Sequence, residues 1–392
     1  MATILEYIDW RGDLTLQERP FNNVDNLLLA ELCFLDFSGI VSADFSSSGI
    51  TLQEACNIYF SGTPATDMGL LVPDAILQLA LRMGKSARFG QARLDGYVNQ
   101  IDKETEMQFS ALTATLPDGT CYVAFRGTDD TIIGWKEDFS MAFLPIVPAQ
   151  KLAAAYLCAA AAAHPVNAIR VGGHSKGGNL AVYSAVFCGE QTQNQIVAIY
   201  NNDGPGFHTS LLELPEHQRV ADRIVTILPE TSIVGMLLEH EEDYQIVHST
   251  QIGIMQHDGF SWQVGPEQFE QVPELSEGGK IIDHALSTVV RELSQNQLAL
   301  FTDALFDILS CTDAQTLTEL KEGGLKTASK MLKTLQSLDK QTRHALTGTL
   351  KLILKTGAKS ALGELHPIRR LKNLRLLEAA SGYLESLADG RG

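Results

Sequence analysis

The sequence predicts an α/β protein in which a mostly parallel central sheet carries helices on both faces, joined to an all-helical C-terminal region. Three observations lead there. Short apolar runs at 121–125, 169–172, 196–200 and 223–228 alternate with helical stretches, the order that builds parallel sheets with crossover helices. Glycine- and asparagine-rich breaks follow those runs where the chain must turn. Beyond His284 the strand signal ends and amphipathic helical patterns take over. A chain of 392 residues, 45% hydrophobic and 20% charged, suits a domain over 1–290 and a helical cap or accessory region over 291–392.

Each element has its own signal. Val24 to Phe37 is apolar at helical spacing, with Asn22 or Asn23 placed to cap it. A second helix is expected over Pro73–Met83. Gln108–Thr115 alternates in the manner of a strand, Pro117-Asp118-Gly119 is a turn, and Cys121–Phe125 returns as a buried strand, so the three read as a hairpin. Ala149–Ala163 is rich in alanine and leucine and reads as a helix ended by Pro165. Strand Ile169–Gly172, helix Gly178–Cys188, strand Ile196–Tyr200 and strand Arg223–Leu228 follow. The tail reads as about four helices, broken near Asp313, Gly323-Gly324, Asp339 and Pro367, with the glycine pair a candidate hinge.

Charge and cysteine usage narrow the function. The net charge is −17, split into −25 over residues 1–320 and +10 over 321–375. An acidic body repels phosphates, which disfavours nucleic-acid binding. None of the six cysteines falls in a C-x-x-C pair, so a zinc knuckle or thioredoxin motif is not indicated and free thiols are expected. The N-terminal residues lack a signal-peptide pattern, and the longest apolar run, Leu152–Ala163, is too short to span a bilayer. A soluble cytoplasmic protein is expected.

The sharpest chemical feature is Gly173-His174-Ser175-Lys176-Gly177, a G-x-S-x-G pattern between a strand and a helix. A serine on such a tight turn is held clear of the sheet, and its neighbours two residues away must be small to let strand and helix pass. A serine nucleophile needs a base and an orienting acid, which follow it in the order acid, then histidine. His257, in a loop-like stretch after the last strand signal, is the expected base, with His248 the next choice. For the acid, Asp203 after strand 196–200 is favoured and Glu230 after strand 223–228 is the alternative; both stand at C-terminal strand ends, where ligands gather. The oxyanion donors expected are the backbone N–H groups of Lys176 and of Thr128, the latter in Phe125-Arg126-Gly127-Thr128. Arg126 is expected to pair with a carboxylate such as Asp138.

Phe125-Arg126-Gly127-Thr128, the Trp135-x-x-Asp138 pair and Gly173-His174-Ser175-x-Gly177 together resemble the class 3 lipase group of the α/β-hydrolases. Over about residues 1–290 the chain also resembles a bacterial domain family of unknown function related to those lipases. The stretches that match are Tyr7–Asp13, Asp203–Phe207, Ser232–Leu238 and Gln256-His257-Asp258. The resemblance implies an α/β-hydrolase fold and a serine acyl hydrolase with Ser175 as nucleophile, His257 as base and Thr128 in the oxyanion hole. One departure stands out. Such lipases carry an Asp just before Val-Pro after the strand that follows, and here Ser232 holds that position.

The function expected is cleavage of carboxylic esters, lipid or small acyl, through a Ser-His-Asp triad without metal or organic cofactor. The alternatives are an amidase, thioesterase or peptidase on the same residues, and a non-catalytic hydrolase-like binding protein. In the tail, Leu325, Met331, Leu332, Leu335 and Leu338, then Leu350, Leu352, Ile353 and Leu354, lie near helical spacing among lysines at 326, 330, 333, 351, 355 and 359. Such basic helices either pack as a cap or lid, or make peripheral contact with an anionic membrane.

Overall fold

The computed structural model of the protein describes residues 2–45, 49–62, 73–141, 143–277, 280, 293–312, 314–340, 342–344 and 346–348. The chain forms two compact units, one of residues 1–129 with 146–275, the other of 130–145 with 276–392.

The first unit is built on an eight-stranded sheet whose spatial order is the order of the sequence. Its strands are β1 (Ile50–Thr51), β2 (Arg93–Asp102), β3 (Met107–Thr115), β4 (Cys121–Phe125), β5 (Ile169–His174), β6 (Ile196–Asn202), β7 (Ile224–Pro229) and β8 (Tyr244–Val247). From β1 to β4 the pairing is antiparallel, and from β4 to β8 it is parallel. The protein is thus mixed α/β, with the parallel part where strands and helices alternate.

Helices cover both faces because both faces are apolar. Along β4, Tyr122 and Ala124 join one core cluster while Cys121, Val123 and Phe125 join the other, the two-residue period of a strand buried on both sides. The first cluster packs against α1 (Ile4–Arg11), α2 (Asn23–Leu32), α3 (Leu52–Ser61) and α4 (Ala75–Lys85). The second packs against α6 (Pro148–Ala163) and α7 (Lys176–Phe187), which follow α5 (Ile132–Met141) in sequence. Each large apolar side chain so buried contributes about 1.5–3 kcal/mol.

Polar anchors tie this helical face to the sheet. Asn22 caps α2 by accepting from the Val24 and Asp25 backbones. Asp25 and Arg88, both fully buried, form an ion pair whose Arg88 Nε–Oδ1 distance is 2.7 Å, and the Tyr7 hydroxyl donates to Asp25 at 3.0 Å. Asn26 on α2 donates to Asn202 Oδ1 at 2.8 Å, and Asn202 in turn donates to the carbonyl of Gly173 at 2.9 Å.

The expected helices and strands of this unit are present with ends shifted by a few residues, and the 108–125 hairpin is β3–β4. Strands β1, β2 and β8 and helices α1 and α3 add to that reading. In β2 a register shift between Asp95 and Val98, with Gly96 at φ 63°, interrupts the alternation that marks a strand. Short helices α8 (Glu190–Gln193), α9 (Thr209–Leu212) and α10 (Pro215–Gln218) occupy connections.

In the second unit α5 packs with α11 (Gln295–Ser310), and α12 (Leu317–Glu322) and α13 (Gly324–Ser337) follow. Phe139 meets Phe301 and Phe306 at ring distances of 6.4 and 5.6 Å. Met331, Leu335 and Leu338 pack against the cluster of Phe301, Ala304, Ile308 and Leu346, while Leu332 is 40% exposed. Leu350 to Leu354, Lys351, Lys355, Lys359 and the break at Pro367 lie outside the described residues. No helix among the described residues is long and apolar enough to cross a membrane.

Candidate active site

Ser175 sits at the junction of β5 and α7 with φ 58° and ψ −132°, a conformation that strains any residue with a side chain. The turn is enforced from both sides. A Cβ on Gly173 would lie 2.4 Å from the Phe125 carbonyl oxygen, and one on Gly177 would lie 2.1 Å from the same atom. Only glycine permits β4, β5 and α7 to approach so closely. The Ser175 N–H donates to the Asn202 carbonyl at 2.9 Å, while the residue as a whole stays partly exposed.

Asp203 follows β6 directly and is fully buried, with φ 50°. The side chain that closes this glycine-rich loop is that of Asn201. The Asn201 side chain accepts from Gly204 N–H at 2.9 Å and donates to the Gly204 carbonyl at 3.2 Å, leaving the Asp203 carboxylate to face elsewhere. Its Oδ2 lies 2.6 Å from Nδ1 of His257.

His257 ends a 3-10 turn, Gly253–His257, that is pinned on both sides. Buried Trp262 donates its indole N–H to the Gln256 carbonyl at 2.8 Å, and the Gln256 side chain accepts from Thr231 N–H at 2.7 Å. With Nδ1 engaged by Asp203, Nε2 is the ring nitrogen left to exchange a proton, and the side chain is 25% exposed. The His257 ring lies 4.6 Å from that of His174, the residue immediately before Ser175.

The other sequence-predicted residues divide. Lys176 opens α7, and its ammonium turns inward, donating to the Gln108 carbonyl at 3.0 Å and to Gln108 Oε1 at 2.7 Å, so it is the Lys176 backbone that stands beside Ser175. The loop of Thr128 also passes the serine, since a Cβ on Gly127 would lie 3.2 Å from Ser175 Cβ. Glu230 is not brought to His257. It lies 2.7 Å from Nδ1 of His248, so the second-choice acid and the second-choice base meet each other. Arg126 pairs with Asp129, three residues on, at 2.8 Å. Asp258, beside His257, accepts from the Phe260 backbone as a turn cap.

Several residues around this site had no role assigned from the sequence. Ser232 donates its hydroxyl to Asp203 Oδ1, and Gly235 N–H donates to the same oxygen at 3.2 Å. The serine at the departure from the lipase pattern thus touches the acid that stands after the preceding strand. His240 contacts the Gly235 carbonyl through Nε2 at 2.6 Å and Glu242 through Nδ1 at 3.3 Å. On the opposite side, His174 Nε2 donates to the His257 carbonyl at 2.7 Å, and its Nδ1 lies 3.5 Å from Glu31 Oε1 on α2. Burial, aided by the neighbouring His257, holds His174 down at about 3, and burial with the nearby Asp258 pushes the Glu31 carboxyl well up. Among the described residues no group of three or more His, Cys, Asp or Glu is arranged to hold a metal ion.

The Mbeg1-like family model matches residues 83–307, more than half of the chain. The protein belongs to the Mbeg1-like family. This is a lipase-like family, in keeping with the coarse part of the resemblance drawn from the motifs. No curated protein matches the chain.

Proposed function

We propose that this Mbeg1-like protein is a serine hydrolase of carboxylic esters, lipid or small acyl, on an α/β-hydrolase scaffold. The observation that carries the reading is the 2.6 Å contact of Asp203 with His257 Nδ1, supported by the strained strand-to-helix turn of Ser175 and by the 4.6 Å ring distance between His257 and His174, the residue before that serine. A carboxylate on Nδ1 holds the imidazole in one tautomer and favours the charge it acquires when Nε2 takes a proton. In this mechanism His257 removes the proton of Ser175 as the hydroxyl oxygen attacks the ester carbonyl. The N–H groups of Lys176 and Thr128 receive the developing oxyanion, aided by the N-terminus of α7. His257 then protonates the leaving alcohol, the acyl-enzyme forms, and water activated by the same ring releases the acid.

Asp203 also argues against a binding protein that has lost its acid, since a carboxylate is present on the imidazole. Among the described residues of the tail, Met331, Leu335 and Leu338 pack within the second unit and Leu332 stays 40% exposed. The test is covalent. A fluorophosphonate probe should label the protein at Ser175, and Ser175→Ala should abolish both labelling and p-nitrophenyl ester cleavage. Ester cleavage that survives Ser175→Ala would remove the proposal.

A further inference from the structure

The loop between β7 and β8 holds a chain of polar contacts that ends on Asp203 and that ester cleavage as described does not use. It begins with the Thr226 hydroxyl of β7, which donates to Glu242 Oε1. The same Glu242 oxygen lies 3.3 Å from His240 Nδ1, and His240 Nε2 lies 2.6 Å from the Gly235 carbonyl. Gly235 N–H and the Ser232 hydroxyl then converge on Asp203 Oδ1. The loop is also strapped to the chain that leaves Asp203: Gly206 N–H donates to the Leu237 carbonyl at 2.8 Å, and Phe207 and Glu239 exchange backbone bonds at 2.8 and 3.0 Å.

The protonation of His240 follows from its partners. A carbonyl oxygen only accepts, and so does an ionised carboxylate, so both ring nitrogens must carry hydrogen. The ring is therefore an imidazolium when the chain is complete. The side chain is 6% exposed, and the charged groups that face it are Glu242 from its own loop and Asp203 from the end of β6. Neighbouring Glu241 faces away, toward His217 and Gln218. The directions of titration agree. Glu242 and the Gly235 carbonyl raise His240 above its ordinary value despite burial, and Glu242 is drawn down to about 2.

We propose that His240, as an imidazolium, is a positioning residue for the proposed triad acid: by clamping Gly235 it keeps the Gly235 N–H and the Ser232 hydroxyl on Asp203. It touches no substrate and acts through the loop. The inference rests on the triad reading and has a consequence that reading lacks. Activity should fall at alkaline pH as His240 loses its proton, because the neutral ring keeps only one N–H and must release either Gly235 or Glu242.

The experiment compares kcat and KM across pH for the wild-type chain, His240→Gln and Glu242→Gln, with a soluble p-nitrophenyl ester. His240→Gln can keep the donor to Gly235 but has no proton to lose. It should lower kcat about tenfold with KM unchanged and abolish the alkaline limb. Glu242→Gln, which removes the carboxylate that supports the cation, should move that limb about one pH unit lower. A wild-type chain that labels with fluorophosphonate but whose alkaline limb is unchanged in both variants overturns the role of His240. A wild-type chain that neither labels nor cleaves overturns the triad reading instead. In that case 15N shifts of His240 at neutral pH still decide between the imidazolium, expected here, and a neutral ring, which would refute it.

Discussion

On one side of His257, ionisable groups are held by hydrogen bonds: Asp203 by Ser232 and Gly235, His240 by Glu242 and a carbonyl. On the other side, His174 and Glu31 are as deeply buried, yet burial drives both toward their neutral forms. The difference is in the number of hydrogen-bond partners. Asp203 has three, whereas Glu31 Oε1 has none among the described contacts. An imidazole that alternates between neutral and cationic forms needs charge on one flank only. A second cation at ring-stacking distance would oppose the cation it forms.

The comparison can be broken first on the charged side. Asp203→Asn keeps the shape of the side chain but removes the charge and favours the wrong tautomer of His257, so kcat should fall about 10⁴-fold, read with an activated ester. A loss below about tenfold would mean that the carboxylate orients nothing.

A smaller effect is expected from His174→Leu, which removes the donor to the His257 carbonyl. That should cost about 1–3 kcal/mol in denaturant unfolding. It should also change the pH dependence. The folded-state value of His174 lies near 3, below the ordinary 6.5, so between those limits the unfolded chain binds the extra proton. Stability tied to this ring is present above pH 6.5 and is lost as pH falls toward 3. The variant should lose less stability than the wild type over that interval, and equal slopes would mean that the ring is not held neutral.

The smallest effect belongs to Glu31→Gln, because glutamine mimics the protonated acid. Ester cleavage should stay within about twofold of the wild type. Stability should shift in the opposite pH direction from the previous case. A raised carboxyl binds its proton in the folded chain after the unfolded chain has released it, so the wild type loses stability as pH rises above about 4.5. The variant should be free of that loss, measured as melting temperature from pH 5 to 8. A large drop in activity would show that Glu31 works as an anion.

Much of this architecture could be read from residue order alone. The hairpin, the α/β alternation and the elbow all rest on local patterns, alternation in 108–125 and two glycines flanking Ser175. The preference for Asp203 over Glu230 turns on the departure from the lipase pattern at Ser232, and the His257 contact goes to Asp203 while Glu230 goes to His248. What escaped was held by contacts remote in sequence. Glu31 meets His174 across 143 positions, and nothing around Ser232, His240 or Glu242 marks them as neighbours of Asp203. Helices α1 and α3 had a local signal in Thr3-x-x-Glu6 and Thr51-x-x-Glu54, two capping boxes that the apolar pattern overshadowed.

The amide of Asn26 has a practical bearing on how the gene is subdivided. Residues 83–307 look like a natural fragment to clone, yet Asn26, Asp25 and Glu31 all precede them. Trimming there would strip Asn202 and the Tyr122 hydroxyl of partners at 2.8 and 2.7 Å and leave Arg88 without its counter-ion. Expression plasmids should start ahead of Tyr7, and a shorter insert should yield aggregated product whatever the fate of Ser175.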